Sequence, residues 1–288
     1  MRATLVWATV LALAAGGCSR PSDQRTYPLQ GQVVALSADR QQATVKHEEI
    51  KGFMPAMTMP YKVKEPQAVG GVKPGDLIHA TLVVVSNDAY LTDVRKVGEA
   101  PLEAPPPETQ VASSGFELLK PGEAVPDAAF VDQNGRTRSF SAYKGQTVVL
   151  TFIYTRCPMP TFCPLMDRHF ASLQRSLEAD PAMKNVQLLS ISFDPLSDTP
   201  RVLKKHAQEL KADPKRWTFF TGDRDAIDQF AARFGVSVSR SLSDALDITH
   251  TLRTAIVGPD GKLMKVYTGN EWTPERVLAD LKPVASAS

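Results

Sequence analysis

Thr147-Val148-Val149-Leu150-Thr151-Phe152-Ile153-Tyr154-Thr155-Arg156-Cys157-Pro158-Met159-Pro160-Thr161-Phe162-Cys163-Pro164 decides how the C-terminal half of this chain folds. The run Thr147 to Tyr154 is apolar nearly throughout, which reads as a strand buried on both faces. From Pro164 to Leu177 the apolar residues fall at Met166, Phe170, Leu173 and Leu177, the stripe of an amphipathic helix. The two cysteines therefore sit in a strand-to-helix turn. Proline suits the first helical position, so Pro164 makes Cys163 the expected N-cap. A thiolate there meets unsatisfied N–H groups and the positive end of the helix dipole, and its pKa is expected to fall. A lowered pKa favours thiol exchange and metal ligation alike. In an oxidising compartment a structural disulfide is the plain alternative, and the spacing alone does not separate these readings.

Outward from this turn, strands alternate with helices. Val186 to Phe193 is a second buried strand, Thr199 to Leu210 a helix, Trp217 to Thr221 a strand, and Asp225 to Phe234 a helix closed by Gly235. Thr251 to Val257 and Leu263 to Tyr267 flank the turn Pro259-Asp260-Gly261, and Thr273 to Leu281 closes the chain as a helix. The order β-α-β-α-β-α-β-β-α predicts an α/β sandwich of the thioredoxin type. In such a fold the stretch before the Thr251 strand returns beside the cysteine turn. Thioredoxin-type enzymes carry a cis-proline there, but Ile248-Thr249-His250-Thr251-Leu252-Arg253-Thr254 has none and offers His250 instead. That exchange tilts the reading from redox enzyme towards metal site. Two thiolates and an imidazole are a soft set suited to copper, and Cu(I) accepts three ligands where zinc usually asks for four.

Three motifs now stand together: the strand followed by Thr155-Arg156-Cys157-Pro158, the run Ser190-Ile191-Ser192-Phe193-Asp194-Pro195 with Asp198-Thr199-Pro200, and a histidine ahead of Gly258-Pro259-Asp260-Gly261. With them, residues 122–281 resemble the SCO/SenC family of copper-handling, thioredoxin-fold proteins. The resemblance implies copper binding through Cys157, Cys163 and His250, and delivery to the dinuclear copper centre of cytochrome c oxidase. One departure stands out. The family usually places three residues between its cysteines, whereas Pro158 to Phe162 make five here. Met159 in this longer loop is either a fourth ligand or solvent-exposed filler. Asp194 matches an acidic position of the family and is expected to orient a ligand or a partner.

Residues 27–98 have a different texture. Short alternating runs such as Gln42-Ala43-Thr44-Val45-Lys46 and Leu77 to Val85, parted by turn signals at Pro74-Gly75-Asp76 and Asn87-Asp88, predict a small OB-like β-barrel. Three of the eight methionines crowd into Phe53-Met54-Pro55-Ala56-Met57-Thr58-Met59-Pro60, with His47 upstream. Methionine normally fills core gaps. Three thioethers between prolines at a barrel rim instead suggest a site for a soft monovalent ion, with Met57 and Met59 on the same face of a strand. This stretch resembles the periplasmic copper-binding barrels of the CusF type, which implies His47, Met57 and Met59 as ligands. That family packs a tryptophan over its metal. Here Met54 occupies the aromatic position, with Phe53 as its neighbour, and becomes a candidate third thioether. The spacing to His47 is also one residue shorter than in that family.

Length and composition agree with two folded units. The chain has 288 residues, 43% hydrophobic and 22% charged, which excludes a mostly disordered chain and a multi-span membrane protein. Lysine plus arginine number 33 against 31 acidic residues, so there is no electrostatic footprint for nucleic acid. Residues 99–121, with Pro101, Pro105, Pro106 and Pro107, read as a semi-rigid linker to a second unit at 122–285. Residues 1–17 read as a signal peptide: Arg2, the apolar run Leu5 to Ala15, then Gly16-Gly17 before Cys18. Small residues ahead of Cys18 resemble a lipobox, which implies an acylated Cys18 anchoring a periplasm-facing protein. An ordinary cleaved signal with a free Cys18 is the alternative.

The expectation is therefore a membrane-anchored metallochaperone that takes up copper, as Cu(I) with Cu(II) as a second state, at two sites and passes it to a recipient protein. Two rivals remain open. A thiol–disulfide oxidoreductase would use Cys157 and Cys163 to reduce a client's copper-site cysteines, and a tolerance protein would bind copper without delivering it. His79, His169 and His206 read as surface or supporting residues rather than ligands.

Overall fold

The computed structural model of the chain describes residues 24–102, 117–240 and 248–285. Residues 1–17, expected to be a signal peptide, Cys18 and the greater part of the expected linker lie outside the described residues. The first unit is a closed barrel of β1 (Arg25–Leu36), β2 (Gln42–His47), β3 (Met57–Val63), β4 (Asp76–Val85) and β5 (Asp88–Glu99), in the order β1-β2-β3-β5-β4. Closure leaves no free sheet edge, and alternate residues such as Val45, Tyr61, Leu82 and Leu91 point into the core. Gly31 on β1 lies opposite His47 on β2. A Cβ at Gly31 would come within 2.5 Å of the Lys46 carbonyl oxygen and 2.8 Å of the His47 Cα, so only glycine lets the strands pass. Gly31→Ala is expected to cost about 1–3 kcal/mol through overpacking and to displace His47. Urea unfolding and the His47 ring resonances would register both effects.

The second unit is built on a seven-stranded sheet. Its elements are β6 (Ala129–Asp132), β7 (Thr137–Ser139), β8 (Thr147–Ile153), α1 (Cys163–Ala179), β9 (Val186–Ser192), α2 (Pro200–Glu209), β10 (Trp217–Thr221) and α3 (Arg224–Arg233). They are followed by β11 (Val238–Arg240), β12 (Ile248–His250), β13 (Arg253–Val257), β14 (Leu263–Thr268) and α4 (Pro274–Ala285). The sheet order is β14-β13-β8-β9-β10-β6-β7, with β8, β9 and β10 parallel and β13 antiparallel to β8. Every residue of β8 is buried, as its continuous apolar run requires. Consecutive residues of that strand face opposite sides. Phe152 meets Phe230 and Phe234 at and just beyond the end of α3, while Thr151 bonds Thr254, whose hydroxyl reaches Met166 of α1. The sheet is thus covered on both faces, the α/β arrangement expected.

Two features differ from the sequence reading. The hairpin β6–β7 and the small ladder of β11 with β12 were not expected, because strands of three or four residues are too short to carry a period. Helix α1 also begins at Cys163 itself, with Phe162 as its N-cap. Among the described residues no helix is long and apolar enough to cross a membrane.

Candidate metal centre

The chain leaves β8 at Ile153 and turns through Tyr154-Thr155-Arg156 to Cys157, and the turn is held from beneath. Asp198, fully buried, accepts hydrogen bonds from the Thr155 amide (3.0 Å), the Thr155 hydroxyl (2.5 Å) and the Ser192 hydroxyl (2.5 Å). Arg156 Nε donates to Asp194 Oδ2 at 2.6 Å. Asp194 therefore meets the residue next to Cys157, not the thiols. The sequence reading had not singled out Thr155, Ser192 or Asp198 as supports, although all three lie in the motifs it quoted.

Cys163 and His250 are in contact, with Sγ to Nε2 at 3.8 Å. The His250 Nδ1 lies 3.3 Å from the Thr251 carbonyl oxygen, to which it can only donate, leaving the Nε2 lone pair towards Cys163. Tyr154 and Phe193 pack on the His250 ring. Burial then lowers its pKa to about 4, so the ring is neutral and ready to ligate. A hydrogen bond from the Cys163 thiol, helped by the Cys163 and Met159 amides and Tyr154, outweighs desolvation at Cys157 and lowers its pKa to about 7. Cys163 goes the other way. Desolvation, and then its neighbour Cys157, raise its pKa well above the ordinary value.

This corrects the expectation for Cys163. It is the first helical residue rather than the N-cap, and at 1% exposure the cost of burying a thiolate outweighs the helix terminus. Both thiols are unbridged. In the reduced protein near neutral pH, iodoacetamide is expected to alkylate Cys157 at least about tenfold faster than Cys163, since only Cys157 combines thiolate character with access. Mass spectrometry of the labelled peptides checks this.

The donor set fits a soft monovalent ion: one thiolate, one neutral imidazole, and a second thiol whose proton a metal would displace. Among the described residues no three His, Cys, Asp or Glu side chains already stand as a closed ligand group. The donors are neighbours that must still close on a cation.

In the barrel, His47 pairs directly with Met57 across β2 and β3, and Met59 pairs with Val45 two residues along. His47, Met57 and Met59 thus share one inward-turned face. His47 is 2% exposed, and its Nδ1 lies 2.7 Å from the Glu48 carbonyl oxygen. Its Nε2 is buried with no hydrogen-bond partner, and desolvation lowers its pKa. An unprotonated imidazole nitrogen left without a partner inside a barrel is what a ligand looks like before its ion arrives. Met54 is also buried, with its Sδ accepting from the Tyr61 hydroxyl at 3.7 Å. Phe53 stacks on Tyr27 with ring centroids 4.4 Å apart.

A cavity of about 740 Å3 lies between the two units. Met54, Met57 and Met59 line it from the barrel, and Tyr154, Cys157, Met159 and His250 from the other side. His47 stands in the wall behind the methionines rather than on the cavity surface. Met159 is not loop filler. It is 3% exposed and belongs to the barrel's apolar core with Met54 and Met59, while Cys157 and Phe162 pack against both cores. Of the remaining histidines, His206 is half-buried, bonds Asp167 at 3.0 Å and packs edge-on against Phe219, and His169 packs on Trp272. Neither faces the cavity.

Residues 120–286 match the SCO1/SenC family, and residues 26–96 match the family described as copper binding periplasmic protein CusF. A SCO1 protein homolog of Bacillus subtilis is 33% identical over 178 residues, spanning 61% of this chain and 90% of that protein. Among solved structures, BsSco, described as a member of the Sco family of cytochrome c oxidase assembly proteins with a disulfide switch, is 32% identical. It superposes with a TM-score of 0.51 over 59% of this chain and 99% of its own. A SCO1/SenC family lipoprotein from Bacillus anthracis is 28% identical, with a TM-score of 0.52 over 59% of this chain and 99% of its own.

Proposed function

The chain belongs to the SCO1/SenC family, and on that premise we propose that it is a copper metallochaperone with two copper sites, working in the cell envelope. The observation that carries the reading is the shared cavity, with Met54, Met57 and Met59 on one wall and Cys157 and His250 on the other. Copper is the cargo. The barrel takes up Cu(I) through His47, Met57 and Met59, with Met54 as a further thioether. Cys157, Cys163 and His250 then receive it. Thioether to thiolate is downhill for a soft monovalent ion, which sets the direction of transfer. Both imidazoles are held neutral by burial, so neither must lose a proton before binding.

The recipient is a copper-receiving protein, the dinuclear-copper subunit of cytochrome c oxidase. Kinship with BsSco supports this, as that protein belongs to a family of oxidase assembly proteins. Acylation at Cys18, with residues 1–17 removed, would anchor the protein facing the periplasm. The lipoprotein among its structural relatives and the CusF-like barrel support that location. Residues 27–98 and 122–285 form the two working units, joined by 99–121.

The test is delivery. Cu(I)-loaded protein is mixed anaerobically with the copper-free recipient subunit, and the recipient's copper absorption is followed. Transfer by the native protein and its loss in His250→Ala support the chaperone. Reduction of a disulfide in the recipient that survives His250→Ala would make the protein an oxidoreductase. Tight binding without transfer would make it a sequestering protein.

A further inference from the structure

Met159 sits on the loop between the two cysteines, yet its side chain is buried in the core of the other unit. The loop is stiff and firmly placed. Pro158 and Pro160 flank Met159, Arg168 donates to the Pro160 carbonyl at 2.8 Å, and the Phe162 amide donates to the Met159 carbonyl at 3.1 Å. Asn270 adds a hydrogen bond to the Thr161 carbonyl at 2.8 Å. The tip is therefore held by its own unit while its thioether enters the barrel's wall of sulfurs. Packing alone would be met by leucine. A fourth thioether on a cavity already lined by three has a chemical consequence, because several neutral sulfurs facing one space select Cu(I) or Ag(I) over harder ions.

We propose that Met159 forms, with the barrel methionines Met57 and Met54, an inter-unit thioether site for a soft monovalent metal ion, through which the ion passes from the barrel to Cys157. This rests on the two-site copper reading and adds the route between the sites. The ion keeps its oxidation state throughout. One thioether–metal bond after another is exchanged, the last for the Cys157 thiolate, and the Cys163 proton leaves to solvent as that thiol joins. The five-residue spacing between the cysteines acquires a purpose: it carries the sulfur of Met159 across to the barrel.

The test uses Ag(I), a redox-silent ion of the same softness, on the full chain carrying Cys157→Ser and Cys163→Ser, so that no thiolate competes. Methionine methyl groups labelled with 13C report each thioether by NMR. As Ag(I) is added, the Met57 and Met59 methyls are expected to shift as the barrel site fills, and the Met159 methyl to shift together with that of Met54 as the ion exchanges onto the inter-unit site. Adding Met159→Leu, which keeps volume and burial, is expected to weaken binding about tenfold. If the Met57 and Met59 methyls shift while Met159 stays still, the inter-unit site is wrong and the barrel site survives. If no methyl shifts, both the inter-unit site and the two-site reading fall.

Discussion

Asp198→Ala is expected to destabilise the α/β unit by about 3 kcal/mol or more, because each buried donor left unmatched costs about 1–3 kcal/mol and this carboxyl serves three. The Thr155 amide, the Thr155 hydroxyl and the Ser192 hydroxyl all converge on this fully buried carboxyl. The effect extends beyond stability. Thr155 lies two residues before Cys157, so loss of its anchor frees the turn that presents the thiolate. Asp198→Asn keeps the shape and one acceptor oxygen, and should lose less. Chemical denaturation measures the first effect, and the alkylation selectivity between Cys157 and Cys163 measures the second. Selectivity that persists in a folded Asp198→Ala protein would mean that the turn is held by something else.

Cys157→Ser is expected to weaken Cu(I) binding by the C-terminal donors about a thousandfold, or about 4 kcal/mol, with little change in stability. Serine matches cysteine in shape, and Cys157 faces the cavity rather than the centre of a core. Its hydroxyl, however, stays protonated near neutral pH and is a hard donor. The thiolate it replaces is the one donor at this site already charged before the metal arrives. The same variant should leave the barrel's affinity unchanged, since no barrel ligand depends on that sulfur. Competition against a chelator in each background reads the two affinities separately. An affinity in Cys157→Ser within about threefold of the native value would remove Cys157 from the ligand set.

Much of this architecture was legible in the sequence because its signals are local. A run from Thr147 to Tyr154 that is apolar nearly throughout gave away β8, and a stripe at Met166, Phe170, Leu173 and Leu177 gave away α1. The methionine cluster suggested soft-metal chemistry through its composition and its place between prolines. Other features depend on long-range contact, which no local pattern encodes. Cys163 looked like an activated N-cap because capping is a local rule, whereas its burial, set by residues some 90 positions away such as His250, decides its titration. The same holds for Met159, whose sequence neighbours are prolines and a threonine but which is buried in the apolar core of the other unit, the one that holds Met54 and Met59. Asp198 was visible as part of a motif, but its role emerged only once Thr155 and Ser192 stood around it.

The most direct measurement is the Cu(I) stoichiometry of the reduced protein, titrated anaerobically against a chromophoric chelator. It would be made on the native chain, on Cys157→Ser/Cys163→Ser, and on Met57→Leu/Met59→Leu. Two copper ions in the native chain, falling to one in each double variant, is the result expected of a chaperone with separate thioether and thiolate sites. A single ion in the native chain, lost with the methionines and indifferent to the cysteines, would contradict it and leave Cys157 and Cys163 as a redox pair.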